Sequence, residues 1–300
     1  MSAHTDTNKS TRRNSRTPAE RAAARREEAK QLQSSIAEQV ATLTTSDDWR
    51  LFLDYCRSFH RYSFNNVILI WRQCPTASRV AGYRKWQELG RQVRRNPTRI
   101  RIFGYSKRTI TETDPTTGEE KTRTLVTYPP TSVFAFEDTV PIEGHPLAHI
   151  EAEHSPDLEG DDPTGITDQL TDWLTACGFT VGRGDTDDPD TYGFTEWKTR
   201  RVIVRDDLEP ASAVHVLIHE AAHVLMHDPA GDDRPADKRQ IEVEAESVAY
   251  VLAGLWGLDT SKASTPYIAG WSGGDADLIA ATGARVLKAV DTIDKALTAP

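Results

Sequence analysis

Cysteine is scarce in this chain. The three residues Cys56, Cys74 and Cys177 are far apart, odd in number and in no CxxC pair. That excludes a disulfide framework and a thiolate zinc site, and it suits a reducing cytoplasm. All three are expected to be buried as small apolar residues. Long hydrophobic runs are also lacking. No stretch approaches the roughly 20 apolar residues of a membrane span, so no membrane association is expected. The N-terminus is polar and basic without an apolar core, so no secretory signal is expected. What remains is an ordinary globular composition, 38% hydrophobic and 27% charged over 300 residues, enough for two domains or one large one.

The net charge of −9 conceals an asymmetry. Residues 1–110 carry 22 Lys and Arg against 9 Asp and Glu, a balance of +13, while the remainder carries 14 against 36, a balance of −22. The first half suits a polyanion and the second would repel one. An acidic chain can therefore still bind nucleic acid through a local footprint.

Residues 1–25 read as a disordered basic tail, and those up to about 18 have almost no apolar side chains to bury. A helical pattern runs from Ala19 to Leu43 through Leu32, Ile36 and Val40. Ser46 reads as the N-cap of a second helix carrying Trp49, Leu51, Phe52, Tyr55 and Phe59, and Ser63 as the cap of a third over 64–72. Strands are expected at 99–103, 109–113, 122–128 and 133–136, with 114–118 as a hairpin tip. Residues 151–165 are acidic and rich in Pro and Gly, and read as a linker. Beyond it come a helix around 170–177, strands near 179–181 and at 201–205, and helices at 211–228, 238–257 and 277–298.

The strongest chemical signal is His215-Val-Leu-Ile-His-Glu-Ala-Ala-His-Val-Leu-Met-His227. A helix puts His219 and His223 on one face, one turn apart, where a single tetrahedral ion can take both imidazoles. Glu220 beside them can take a proton from water at that ion. A third ligand is available on the next helix, where Glu242 and Glu246 share a face. Buried carboxylates in an otherwise apolar helix demand a partner, and a dication is one. Glu242 is assigned as the ligand and Glu246 as the acceptor orienting a histidine N–H. Glu244, off that face, is expected in solvent. His215 reads as core or as a support to the site, and His227 as an alternative third ligand. A metal-free buried network is the alternative to a zinc site. The spacing that would give a third histidine ligand downstream fails, because Met226 and Pro229 stand where glycine and histidine are needed.

This half, about 166–300, resembles zincin metallopeptidase domains with HExxH followed by ExxAE, a group that includes ImmA/IrrE-like proteins and the peptidase domain of the ArdC anti-restriction family. The resemblance implies an α+β zincin fold, a Zn2+ cofactor, Glu220 as general base and acid, and an edge strand that holds an extended peptide or protein substrate. For an oxyanion donor, His227, Tyr250 and Tyr267 are candidates.

In residues 62–103 aromatics alternate with cations, the mixture that single-stranded nucleic acid needs for its bases and phosphates. Candidate contacts are Tyr62, Asn65, Asn66, Arg72, Tyr83, Arg84, Trp86, Arg91, Arg94, Arg95, Arg99 and Arg101. Trp71 and Trp86 also read as core aromatics, and Asn65 and Asn66 as helix-start residues. The words YSFNN–I–I–QCP, then V-GY-KW-LGR-V, then the basic strand and Val133-Phe-Ala-Phe136, resemble the N-terminal single-stranded-DNA-binding domain of ArdC. Arg94-Arg-Asn-Pro97 departs from the Gly/Lys-rich turn usual in that family, keeping its charge without its flexibility. The reading is thus two α+β domains, 26–150 binding single-stranded DNA and 166–300 a metallopeptidase-like domain, with a role for a mobile element such as shielding incoming DNA from restriction. Two alternatives stand beside it: a regulatory protease cleaving a repressor or restriction component, and a non-enzymatic DNA-binding protein with a structural zinc.

Overall fold

The computed structural model of the chain describes residues 17–43, 45–113, 120–145, 165–186, 191–258, 272 and 274–298. The first 16 residues of the expected tail, the hairpin tip at 114–118, all but the last residue of the acidic linker, and Tyr267 lie outside them. The chain forms two compact units, one of Met1–Ser34 with Phe103–Thr131, the other of Ser35–Ile102 with Ser132–Pro300.

Helix α1, Pro18–Val40, begins inside the segment assigned to the tail, which corrects that assignment. The cause is local. Thr17 and Glu20 form a reciprocal cap, with Thr17 N donating to Glu20 Oε2 at 2.6 Å and Glu20 N to Thr17 Oγ1 at 3.2 Å. Pro18 suits the first turn because its missing N–H has no partner to lose. In the same unit, β4 (Ser106–Thr113) and β5 (Glu120–Thr127) pair antiparallel from Ser106↔Thr127 to Thr113↔Glu120. Tyr105 and Tyr128 stand exposed at the base of this ribbon, their rings 6.0 Å apart.

The second unit opens with α2 (Ser46–Phe59) and α3 (Phe64–Gln73). Thr45, not Ser46, caps α2: its hydroxyl accepts from Asp48 N at 3.1 Å while Asp48 Oδ2 accepts from Thr45 N. After β1 (Val80–Ala81) come α4 (Tyr83–Glu88), β2 (Arg91–Val93) and β3 (Ile100–Phe103). Strand β6 (Pro130–Ala135) lies between β1 and β3, and β7 (Thr139–Pro141) pairs with β2. The turn from β2 to β3 puts Asn96 at φ 59°, a left-handed conformation that asparagine tolerates better than most residues. Asparagine therefore supplies here what a glycine would in a more flexible turn.

Helix α5 (Ile166–Ala176) leads into a three-stranded sheet ordered β8-β10-β9, made of Thr180–Gly184, Arg201–Arg205 and Gly193–Glu196. β10 is parallel to β8 and antiparallel to β9, and its centre Val202, Ile203 and Val204 is buried. Helix α6 (Pro210–Met226) packs on β9 and β10, α7 (Lys238–Leu255) on α6, and α8 (Ala276–Thr298) on α7. Small residues Ala213, Ala221, Ala222, Ala245 and Ala249 are buried on α6 and α7 and let them approach.

Packing crosses the expected linker. Helix α2 lies on α7 and α3 on α8. Trp49, fully buried, donates its indole N–H to Ser247 Oγ at 2.9 Å, and Tyr250 its hydroxyl to Asp54 at 2.8 Å. His60 Nε2 meets Asp294 Oδ2 at 3.2 Å. A side chain at Gly283 would start 2.2 Å from the Phe64 ring, so only glycine admits that ring against α8. Of the cysteines, Cys56 is buried while Cys74 and Cys177 are half-buried, and none is in a disulfide. Among the described residues no helix is long and apolar enough to cross a membrane.

Candidate metal centre and nucleic-acid interface

Four-residue spacing on α6 and the facing turn of α7 bring His219, His223 and Glu242 together, with one donor atom from each within 4.8 Å of the others. His219 Nε2 and His223 Nε2 are 3.0 Å apart, and Glu242 Oε2 lies 3.5 and 3.7 Å from them. For bonds of about 2.0–2.1 Å, tetrahedral ligands lie roughly 3.3–3.4 Å from one another, and the three separations bracket that value. The donor set of two imidazoles and one carboxylate therefore fits a tetrahedral divalent ion with a fourth position left over. The Glu242 side chain is mostly exposed, so the donor set is open to solvent on the side of that ligand.

The charges favour a cation. Burial opposes a charged His219, yet its bonds to Glu242 and Glu246 and the nearby Glu220 charge outweigh burial and raise the imidazole to about 10. His219 and His223 hold the Glu242 carboxyl well below the usual carboxylate range. Burial pushes Glu246 up, but its bonds to His215 and His219 win and lower it to about 2. Glu246 bridges His215 Nε2 at 3.3 Å and His219 Nδ1 at 3.2 Å. As a carboxylate Glu246 only accepts, so His219 Nδ1 donates to it while Nε2 faces Glu242.

Glu220 is almost fully buried, and its Oε2 accepts a 2.7 Å hydrogen bond from Thr195 Oγ1 on β9. Sequence reasoning missed Thr195 and β9 altogether. Gly193 and Thr195 point the same way, as alternate strand residues do. A methyl group on Gly193 would lie 2.6 Å from Val216 Cγ1 and 3.0 Å from Ile203 O, so glycine is what lets β9 approach α6. The readable signal was Gly193-Phe-Thr195, too short and too plain to mark a strand.

Three expectations fail here. Glu244 is not in solvent: it is fully buried between His227 Nε2, at 3.0 Å, and Arg285 Nε, 3.0 Å from both oxygens. Helix α7 is covered on more than the metal-facing side, and a buried acid there finds a base on α8. His227 is not placed as a ligand, because its Nδ1 faces His223 Nδ1 at 3.0 Å, away from Glu242. Burial lowers its pKa, with the Glu244 bond opposing only in part. As oxyanion donors neither it nor Tyr250 serves, since the Tyr250 hydroxyl is bound to Asp54 under α2.

The proposed DNA contacts divide. Trp86 is a core residue, 1% exposed, donating its indole N–H to Phe134 O and packed with Val93 and Phe134. Arg91 is buried too, with Nε bonded to Thr139 Oγ1 and its guanidinium 4.0 Å from the Phe136 ring centroid. Both calls are corrected: neither side chain reaches a ligand. Tyr62 is half-buried, its hydroxyl on Val80 O, and Arg101 is half-buried against Ser132. Arg72 is exposed but paired with Glu38 at 2.7 Å. Asn66 is half-buried, while Asn65, Tyr83, Arg84, Arg94, Arg95 and Arg99 are exposed. Arg94, Arg95 and Arg99 lie on the β2–β3 turn, which Asp138 clamps through Arg94 N and Thr98 N.

Taken together, the helices and small mixed sheets define an α+β protein. Residues 26–134 match the family model for the N-terminal domain of anti-restriction factor ArdC. The metal-free crystal structure of the antirestriction ArdC protein from plasmid R388 shares the fold, with a TM-score of 0.50 at 20% identity over 79% of this chain and 85% of that one. Residues 26–134 are therefore ArdC-like in sequence, and the likeness of the chain to the R388 protein is one of fold. The Mn(II)-bound structure of that R388 protein covers 79% of this chain and 90% of its own, at 18% identity and a TM-score of 0.46. An uncharacterized Bacillus anthracis protein is 38% identical over 66 residues, which is 21% of this chain and only 10% of that protein's length.

Proposed function

We propose that this chain is an anti-restriction protein of a mobile element that holds single-stranded DNA on its basic N-terminal surface and carries a zinc peptidase site in its C-terminal half. The observation carrying the second part is the convergence of His219, His223 and Glu242 beside a Glu220 that β9 orients. A bound zinc ion supplies Lewis acidity to a carbonyl and acidifies water. Glu220 takes a proton at its carboxylate and returns it to the leaving amine, and Thr195 holds that carboxylate in place. Glu246 fixes the ring of His219. The β9 edge offers backbone groups to an extended peptide. A structural zinc would have its coordination closed by four protein ligands, and the described donor set has three, which favours a site that works on a substrate.

Metal analysis tests the site: wild type holds about one equivalent of zinc, and His223→Ala and Glu242→Ala each lose it. Retention in both sinks the ligand set. For the basic surface, gel shifts with single- and double-stranded oligonucleotides at two salt concentrations are expected to show preference for the single strand and weakening with salt. Equal affinity for both forms, or no salt slope, counts against DNA binding.

A further inference from the structure

Behind His223, on the side away from Glu242, lies a polar cluster that the proposed chemistry does not use. It is built from His227 at the end of α6, Gln240 and Glu244 on α7, and Arg285 on α8. Both His227 and Glu244 are removed from water, a costly arrangement unless every polar atom is matched. It is matched. Glu244 accepts from His227 Nε2, from Gln240 Nε2 at 3.0 Å, and at both oxygens from Arg285 Nε. Arg285 further donates to Asp233 O at 2.7 Å and to Met226 O, in the last turn of α6, at 3.3 Å.

These contacts determine where the protons are. A carboxylate paired with Arg285 accepts and does not donate, so the His227 proton facing it is on Nε2. A neutral ring that donates at Nε2 accepts at Nδ1. His223 Nδ1, 3.0 Å away, therefore donates. Its Nε2, the nitrogen that faces His219 and Glu242, is then the one available to an ion.

We propose that His227, Glu244 and Arg285 form a positioning relay that fixes the tautomer and ring orientation of His223, presenting its Nε2 to the metal ion. The proposal rests on the metal-site reading above. It makes His227 a support to a ligand, and it explains why a fully buried acid is paired with a half-buried guanidinium behind the site.

The test is zinc affinity, measured by titrating zinc alone against a chromophoric chelator, with the melting of each metal-free protein recorded alongside. His227→Phe fills the space and removes the acceptor, whereas His227→Gln restores an acceptor for His223 and a donor for Glu244. Zinc binding should weaken roughly 10–100-fold in His227→Phe and stay within about threefold of wild type in His227→Gln. Equal affinity in wild type and His227→Phe overturns the relay, as does a His227→Gln weakened as much as His227→Phe. A cluster that merely fastened the helices would lower the melting of the metal-free variants and leave zinc affinity in place, which also overturns it. Wild type that binds no zinc, or His223→Ala that binds as tightly as wild type, brings down the metal reading and the relay with it. Long-range proton–nitrogen spectra of the zinc-loaded wild type need no variant: protons on His223 Nδ1 and His227 Nε2 support the relay, and the reverse assignment overturns it.

Discussion

Glu220 and Thr195 make separable contributions to the proposed reaction. Replacing Glu220 by Gln keeps the shape and the Thr195 contact but removes the proton acceptor, so zinc content should hold while peptide cleavage falls at least about 10²-fold. Thr195→Val removes only the hydroxyl that orients the carboxylate, and a smaller fall is expected, to be read as kcat on a model peptide. A Glu220→Gln protein that cleaves as well as wild type ends the peptidase reading; if it still protects DNA in cells, proteolysis is not how protection works. Among the exposed arginines, a triple Arg94→Ala, Arg95→Ala and Arg99→Ala variant should lower the salt slope of single-strand binding by about 2, at roughly 0.7 per phosphate. Legibility at this scale followed periodicity. His219, His223 and Glu242 could be read because helical spacing alone places each donor on its face. Trp86 and Arg91 could not be told from ligand-facing residues, because their partners Phe134 and Thr139 are 48 positions further on. Glu244 was misread for the same reason, its base lying 41 positions away.

Among the elements, β9 is the one on which the site's geometry turns, and it is the one the sequence concealed. It is four residues long, begins with glycine and owes its place to contact with α6. Gly193→Ala tests that contact. The added methyl would sit against Val216 and the Ile203 carbonyl, and overpacking of this kind costs about 1–3 kcal/mol. Urea unfolding of the two proteins gives the difference. The strand can relieve the clash only by moving off α6, which draws Thr195 from Glu220, so cleavage should fall further than stability alone accounts for. An unchanged unfolding midpoint would mean that the strand does not pack as closely as described. The long helices α5 to α8 were legible to within a few residues, because each has enough turns for its apolar positions to recur. Short strands such as β1, β2 and β7 have no such repetition to read.

For the whole molecule, the sequence suggested a division at the acidic segment 151–165, since composition changes sharply there. Composition reports solvent preference, and it is silent on which apolar faces meet across 200 residues. Trp49, Phe52 and Leu53 on α2 are buried, and α2 packs on α7, with Trp49 bonded to Ser247, the neighbour of Glu246. Phe64 on α3 is seated over Gly283 of α8. Residues 166–300 made alone would therefore expose the far side of the helices that carry Glu242, Glu246 and Arg285. A buried tryptophan is worth about 3–5 kcal/mol when truncated, a large share of the 5–15 kcal/mol that typically stabilises a domain. The fragment should accordingly melt at a lower temperature than the full chain and with less cooperativity, and it should bind zinc more weakly. In the full chain, Trp49→Ala should show a milder form of the same defect. Circular dichroism melts of the three proteins, with and without zinc, decide the matter. A fragment that melts as sharply and as high as the full chain would restore the division that composition suggested and make the α2–α7 contact an accessory.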